Sequence, residues 1–447
     1  MLITADAVVC MDPLRRVLAP GWVRVTGAEI TAVGSGPPPL HSVEEPVRHA
    51  GVLLPGLVSA HQHTVDSLLR GAAVPGTFLG WLLDTQYAGV AALTPEQLGL
   101  ATSVAVAASL SGGVTTLVDC WGIDHGTDAG RALAAAEASL EAHRRSGARV
   151  LFARMFAEHA PDAWHARPGF PIGRVLAPAA VALDQVVTLA ARHHRSEQGR
   201  IRVGPSPELG ELCTPGALRD ALALAGELGV PLPLHLCASP ESRAAFGPAD
   251  LAAAGILGPR LLAAHCTAVD QHDVDELAGA GVAVAHCPTS NLALRGAVTP
   301  VAAFRRAGAT VGLGLDNGSL NPRLDLLGEA RAAVAASIGR RDPVTTDDVL
   351  AMATIDGART VGLDHLVGSI EVGKRADLVL LDTGGDHWWP HDSVAEAVVG
   401  QSRVTDVRTV LVDGRAVVED GRCRTLPIDR DDVLEAAATS RAVRGHG

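Results

Sequence analysis

Two histidines one residue apart, His61 and His63, close a short apolar run, LLPGLVSAHQH. Residues two apart on a strand project to the same face. Further along, His235, His265 and His286 each end an apolar run, and Asp316 ends another, VGLGLD. Imidazole and carboxylate ligands suit Zn²⁺ or Fe²⁺, with water in an open position. Such a cation lowers the pKa of its water toward neutrality. Asp316 beside it would take the water's proton and pass it to a leaving group, so the chemistry indicated is metal-assisted hydrolysis. A lone His-x-His is a weak signal, but five histidines and an aspartate at strand ends form a strong one. The plainer alternative is a histidine that caps a strand on a neighbouring carbonyl, and it weighs most for His286.

These residues need a scaffold that brings strand ends together. Eight apolar runs read as strands: Val52–Ala60, Val114–Asp119, Arg149–Phe156, Arg200–Pro205, Pro231–Leu236, Leu261–His265, Val282–His286 and Thr310–Asp316. Continuous runs such as VAVAHC suit parallel strands buried on both faces. Ala-rich helical stretches alternate with them: Pro95–Leu110, Gly130–Ser146, Pro215–Leu228 and Pro300–Ala307. Eight βα units predict an α/β fold, a (β/α)₈ TIM barrel, whose active site lies at the C-terminal strand ends. Both chain ends instead read as short antiparallel strands around Gly and Asp turns, as in ADLVLLDT and VLVDGRAVVEDGR. They are expected to pair as a small β-sandwich from residues 1–50 and 366–425, with the barrel at 51–365 and a terminal helix within 426–447.

Composition narrows the rest. The 447 residues, 47% hydrophobic and 19% charged, allow a large core. A net charge of −12 without basic runs argues against nucleic acid or a membrane surface as partner. No long apolar span or basic leader is legible, so the expected location is cytoplasmic. Seven cysteines without a C-x-x-C pair suggest free thiols.

The motifs LLPGLVSAHQHT, SGGVTTLVD, LPLHLCASPES, AAHC, VAHCPTSNLAL, VGLGLDNGSLNPRLDL and VGSIEVGKRADLVLLD span nearly all the chain. They resemble the amidohydrolase superfamily, close to its atrazine chlorohydrolase and S-adenosylhomocysteine/methylthioadenosine deaminase branch. The resemblance implies one divalent metal, zinc with iron as the alternative, on His61, His63, His235 and Asp316. It also implies that His265 meets the attacking water or substrate, and that the partner is a small heterocyclic substrate. Such relatives are often dimers or tetramers, which leaves a homo-oligomer open. Binuclear relatives commonly bridge their metals with a carboxylated lysine, and the one lysine here, Lys374, lies in the terminal-sheet region.

One position departs from the pattern. Related deaminases carry a glutamate three residues after the fifth-strand histidine, where it protonates the ring nitrogen, and this chain has Ala238 there. Glu241 is a candidate replacement, although a helix first-turn carboxylate beside a Ser239 cap is the preferred reading. Glu208, Glu158 and His159 are further candidates, each read as surface. Cys237, two residues past His235, is a candidate ligand or nucleophile but is read as packing. Trp81, Gln86 and Trp121 are candidate substrate contacts, with Tyr87 nearby and both tryptophans able to stack on a planar ring. His286, Asn291 and Asn317 complete the candidate set, with Ser290 and Ser319 beside them.

The expected activity is deamination or amide/amidine hydrolysis of a small nitrogen heterocycle. Ala238 leaves dehalogenation, elimination or C–C cleavage as alternatives. A catalytically silent binding or assembly protein is disfavoured by the intact ligand set.

Overall fold

The strands at the centre of the chain are buried along nearly their whole length because both of their faces are covered. The computed structural model describes residues 1–38, 46–72, 78–122, 128–165, 172–294 and 297–444. Strands β1 (Leu2–Val9), β2 (Val17–Leu18), β3 (Gly21–Thr26), β4 (Glu29–Ser35) and β5 (Val47–Pro55) come first. The central strands are β6 (Leu57–His63), β7 (Val114–Trp121), β8 (Arg149–Phe156), β9 (Ile201–Pro207), β10 (Leu232–Leu236), β11 (Leu261–His265), β12 (Ala283–His286), β13 (Val311–Leu313) and β14 (Asp316–Asn317). Strands β15 (Leu378–Leu381), β16 (Val407–Val412), β17 (Arg415–Glu419) and β18 (Arg422–Cys423) follow.

The central strands pair in parallel in two sheets, ordered β14-β6-β7-β8-β9 and β10-β11-β12-β13. A parallel bridge from Leu209, just past β9, to His235 on β10 connects them. Helices alternate with the strands, among them Pro95–Ser111, Ala129–Ser146 and Pro215–Leu228. Thr94 and Thr214 cap two of these, each followed by a proline whose missing N–H costs nothing in a first turn. The content is mixed α/β.

The two chain ends build one further sheet, ordered β18-β17-β16-β15-β5-β1-β3-β4 with β2 on β1. Its seam is the antiparallel pairing of β5 with β15, Val52 opposite Leu381 and Pro55 opposite Leu378. Ile3, Val23, Ile30, Leu53 and Leu378 bury a core of their own there.

The strand expected at Val52–Ala60 is two strands. Val52–Pro55 belongs to the terminal sheet, and the central strand begins at Leu57. Gly56 makes the crossing: its N–H donates to the Asp377 carbonyl at 2.7 Å, and a Cβ there would lie 2.1 Å from the Thr115 hydroxyl. The last expected strand is likewise interrupted, at Gly314 and Leu315. A Cβ at Gly314 would meet Cys287 Sγ at 2.7 Å and the His61 carbonyl at 2.9 Å, so only glycine lets this strand approach β6.

A helix at Arg430–Val443, capped by Asp429, packs against Thr64–Leu69 and Ala88–Ala91. Gln97 Nε2, on the helix Pro95–Ser111, also donates to Thr439 Oγ1 of this helix at 3.3 Å.

Arg149, the first residue of β8, ties the central strands to the terminal sheet. It is buried, donating to both Asp377 carboxylate oxygens at 3.2 Å and to Asp413 Oδ1 at 2.9 Å. Removing one partner of a buried ion pair leaves uncompensated charge, at a cost of roughly 3–5 kcal/mol. Arg149→Ala should therefore lower the unfolding free energy by about that amount in urea titrations. A loss under about 1 kcal/mol would mean that the cluster does not join the two parts.

Candidate metal centre and substrate cavity

His61 and His63 end β6, His235 lies on β10, His265 ends β11 and Asp316 begins β14, so five side chains converge at one set of strand ends. His63 Nε2 and His235 Nε2 are 3.1 Å apart. Asp316 Oδ1 lies 3.6 Å from His63 Nε2 and 3.7 Å from His61 Nε2. One ligand atom each from His61, His63 and Asp316 falls within 4.8 Å of the others, and so does one each from His61, His235 and His265.

Backbone carbonyls settle the tautomers. His63 Nδ1 lies 2.7 Å from the Cys120 carbonyl, and His235 Nδ1 lies 2.7 Å from the Glu208 carbonyl. A carbonyl only accepts, so both Nδ1 atoms carry hydrogen and both Nε2 atoms present bare lone pairs. Two lone pairs facing each other beside a carboxylate repel unless a cation lies among them, so the donor set fits a divalent metal. His265 is oriented the same way. Its Nδ1 lies 3.0 Å from Asn291 Oδ1, and Asn291 Nδ2 donates to Thr299 Oγ1 at 3.4 Å.

Burial drives the histidines toward the neutral form that binds metal. His61 is held well below its usual range by burial and then by repulsion from His63. Burial also lowers His63, and burial with repulsion from His63 brings His235 down to about 3. Burial acts to raise the Asp316 carboxyl, but His265, His63 and Ser290 outweigh it and leave the group below its usual range. His265 and Asp316 also take left-handed backbone conformations, φ 73° and 57°, which non-glycine residues rarely adopt. Such strain marks sites where geometry is over-determined.

Above this cluster lies a cavity of about 570 Å³ when the space out to its open mouth is counted. Trp81, Gln86, Asn291, Asn317, His265 and Asp316 line it, together with apolar Phe78, Met155 and Leu320. Trp81, Gln86 and Tyr87 share one wide helical segment, Trp81–Tyr87. Trp81 Nε1 donates to Ser319 Oγ at 3.1 Å, and Ser319 Oγ donates to Asn317 Oδ1 at 2.8 Å, which latches this segment to the turn after Asp316. Gln86 Nε2 donates to buried Asp66 at 2.9 Å.

Two expected substrate contacts stand elsewhere. Trp121 points to the helix layer, where its Nε1 donates to Ser139 Oγ at 2.8 Å and its ring packs on Phe152. The alternation of side chains along β7 explains this: Cys120 faces His61, with Sγ 3.3 Å from Nδ1, so its neighbour must face away. His286 is fully buried and does not line the cavity. Its Nδ1 lies 3.0 Å from Thr299 Oγ1, whose own hydrogen goes to the His265 carbonyl at 2.5 Å. His286 thus braces the backbone of His265 through the Thr299 hydroxyl instead of capping a carbonyl directly.

The matching family model decides the wider affiliation: the amidohydrolase family model covers residues 52–417. The chain belongs to the amidohydrolase family. It is 32% identical over 435 residues to a 5-methylthioadenosine/S-adenosylhomocysteine deaminase of Symbiobacterium thermophilum, covering 94% of each chain. A relative of the same name from Syntrophobacter fumaroxidans is 31% identical, covering 97% of this chain and 96% of its own. Among solved structures, an adenosine deaminase from Xanthomonas campestris with bound zinc superposes with a TM-score of 0.83 at 25% identity, covering 99% of this chain and 98% of that one. Atrazine chlorohydrolase from Arthrobacter aurescens, complexed with zinc, shares the fold with a TM-score of 0.85 at 24% identity, covering 99% of this chain and 100% of that one. This amidohydrolase is accordingly a deaminase-like hydrolase, as its motifs imply.

Of the residues weighed against the missing glutamate, Glu241 is a surface first-turn carboxylate on a helix that Ser239 caps, lowered by its backbone hydrogen bond and Ser239. Glu158 accepts from the Thr214 backbone N–H at 2.8 Å and caps a turn. Cys237 packs in the core, its thiol pushed up to about 12 by burial. Glu208 is different from its expected surface position: it is 4% exposed and lines the cavity with Ala238. Tyr87 donates to its Oε1, and burial raises its carboxyl to about 7. The signal in the sequence is its place just past the fourth expected strand, Arg200–Pro205.

Behind Asp316, buried Glu329 accepts from the Thr289 N–H at 3.1 Å and from Asn321 Nδ2 at 3.2 Å, and burial raises its carboxyl to about 8. The folded chain therefore keeps this proton while the unfolded chain loses it near the ordinary value of 4.5. Its contribution is full below that value and is lost as pH rises toward about 8. Melting temperature should fall over this window in the wild type and fall less in Glu329→Gln. Equal slopes for the two proteins would contradict this assignment.

Proposed function

We propose that the chain is a zinc-dependent hydrolase that releases ammonia or an amine from an amidine-like carbon of a small, uncharged nitrogen heterocycle. The observation that carries this reading is the pair of bare imidazole nitrogens 3.1 Å apart, beside Asp316, on the floor of a mostly apolar cavity. His61, His63, His235 and Asp316 would hold one Zn²⁺, with Fe²⁺ the alternative. The ion's chemistry when bound is that of a Lewis acid that makes hydroxide available near neutral pH. Asp316 takes a proton from the attacking water and hands it to the leaving nitrogen. His265, with Nδ1 committed to Asn291, offers Nε2 as acceptor to the water or substrate. Trp81 and Gln86 bring the helical segment over the cavity, and its apolar lining favours a flat, neutral ring over an anion.

We further read the parallel strands as a closed (β/α)₈ barrel, supported by the β14–β6 pairing and the Leu209–His235 bridge. The sheet from both ends would form the companion β-sandwich, with the first boundary at Gly56 instead of residue 50. A cytoplasmic enzyme that assembles as a homo-oligomer is part of this reading.

Metal analysis and ammonia release test it together. Purified protein should carry about one zinc per chain and release ammonia from at least one of adenosine, 5-methylthioadenosine and S-adenosylhomocysteine. Chelation should abolish turnover, and added zinc should restore it. His63→Ala should lose both the metal and at least about 100-fold in rate, because a ligand supplies both. Metal and turnover retained in that variant would remove His63 from the ligand set.

A further inference from the structure

Resting on the deaminase-type reading above, we propose that Glu208 is the carboxyl group that meets the substrate's ring nitrogen, in place of the glutamate absent at Ala238. Ala238 and Glu208 line the same cavity, with His63, His235, His265 and Asp316 on its floor. In this assignment the acid stands just past β9, the neighbouring strand, instead of on the loop after β10. The bridge between Leu209 and His235 sets the two strand ends side by side, so the displaced carboxyl enters from an adjacent position.

Glu208 is built to hold its aim. Its N–H donates to the Phe156 carbonyl at 2.9 Å, and its carbonyl accepts from His235 Nδ1 at 2.7 Å. One residue thus orients a proposed metal ligand through its backbone and also lines the cavity. Tyr87, from the segment that also carries Trp81 and Gln86, donates to Oε1 and fixes the carboxyl. Burying a carboxyl beside an apolar-walled cavity is costly, which packing alone does not require.

The step balances. As the C–O bond forms, the ring nitrogen takes the carboxyl proton of Glu208, and Asp316 takes one proton from the water. As the C–N bond to the leaving group breaks, Asp316 gives its proton to the departing nitrogen. The hydroxyl proton of the former water returns to Glu208 as the carbonyl forms. The products are a ring lactam and ammonia or an amine, and both carboxyl groups end as they began.

Glu208→Gln separates this role from structure, because the amide oxygen still accepts from Tyr87 and the backbone carbonyl still faces His235. With the zinc-loaded chain and adenosine, 5-methylthioadenosine and S-adenosylhomocysteine as probes, kcat should fall at least 100-fold, with KM within about threefold and zinc content unchanged. Tyr87→Phe should lose roughly tenfold in kcat at full zinc. Glu241→Gln, on the surface, should stay within about twofold of wild type. A Glu208→Gln rate within threefold of wild type, or a loss of zinc that accounts for its rate, overturns the proposal while leaving the deaminase reading intact. A zinc-loaded wild type inert toward all three probes overturns that reading, and this assignment falls with it.

Discussion

Two main-chain carbonyls, of Cys120 and Glu208, each hold the Nδ1–H of an imidazole, and thereby turn His63 Nε2 and His235 Nε2 against each other at 3.1 Å. Like lone pairs at that separation repel, so nothing among the histidines themselves draws them together. The strands impose the arrangement. β7 supplies one carbonyl and the residue after β9 the other, while the rings come from β6 and β10, so four chain segments must be in register for the pair to form. Burial adds to this by keeping the rings uncharged, and it confines any compensation to a cation and the Asp316 carboxylate.

The strain elsewhere follows from the same demand. A strand that continued normally would carry His265 and Asp316 past the cluster. Each instead turns through a left-handed conformation at the strand end, which swings the side chain over the floor of the cavity. Gly314 serves this geometry from the other direction, since its bare Cα lets the last central strand approach His61 closely enough for Asp316 to reach the shared position. Asn291, Thr299 and His286 then lock His265 in place through a chain of hydrogen bonds that leaves its Nε2 toward the cavity.

Much of this was legible because a parallel strand announces itself as an unbroken apolar run, and a polar residue that ends one stands out. His61, His63, His235, His265 and Asp316 were found by that contrast, and the structure gathers them. Trp121 was misjudged because its facing depends on which neighbour points inward, and only Cys120 beside His61 fixes that register. The break at Gly56 was hidden inside a single apolar stretch, since strands of two different sheets can share one hydrophobic signal. Glu208 reads as surface in the sequence, because carboxylates usually are. It is buried with a hydrogen bond from Tyr87, over a hundred residues away, and no local pattern encodes that contact.

The helix at Arg430–Val443 lies across Thr64–Leu69 and Ala88–Ala91, the segments that flank His63 and the residues over the cavity. During synthesis these segments emerge early, while their cover emerges only after the whole run of central strands. The enclosure of these segments thus rests on contacts made from far along the chain, and a change in this helix would reach the binding site without touching a ligand-bearing strand.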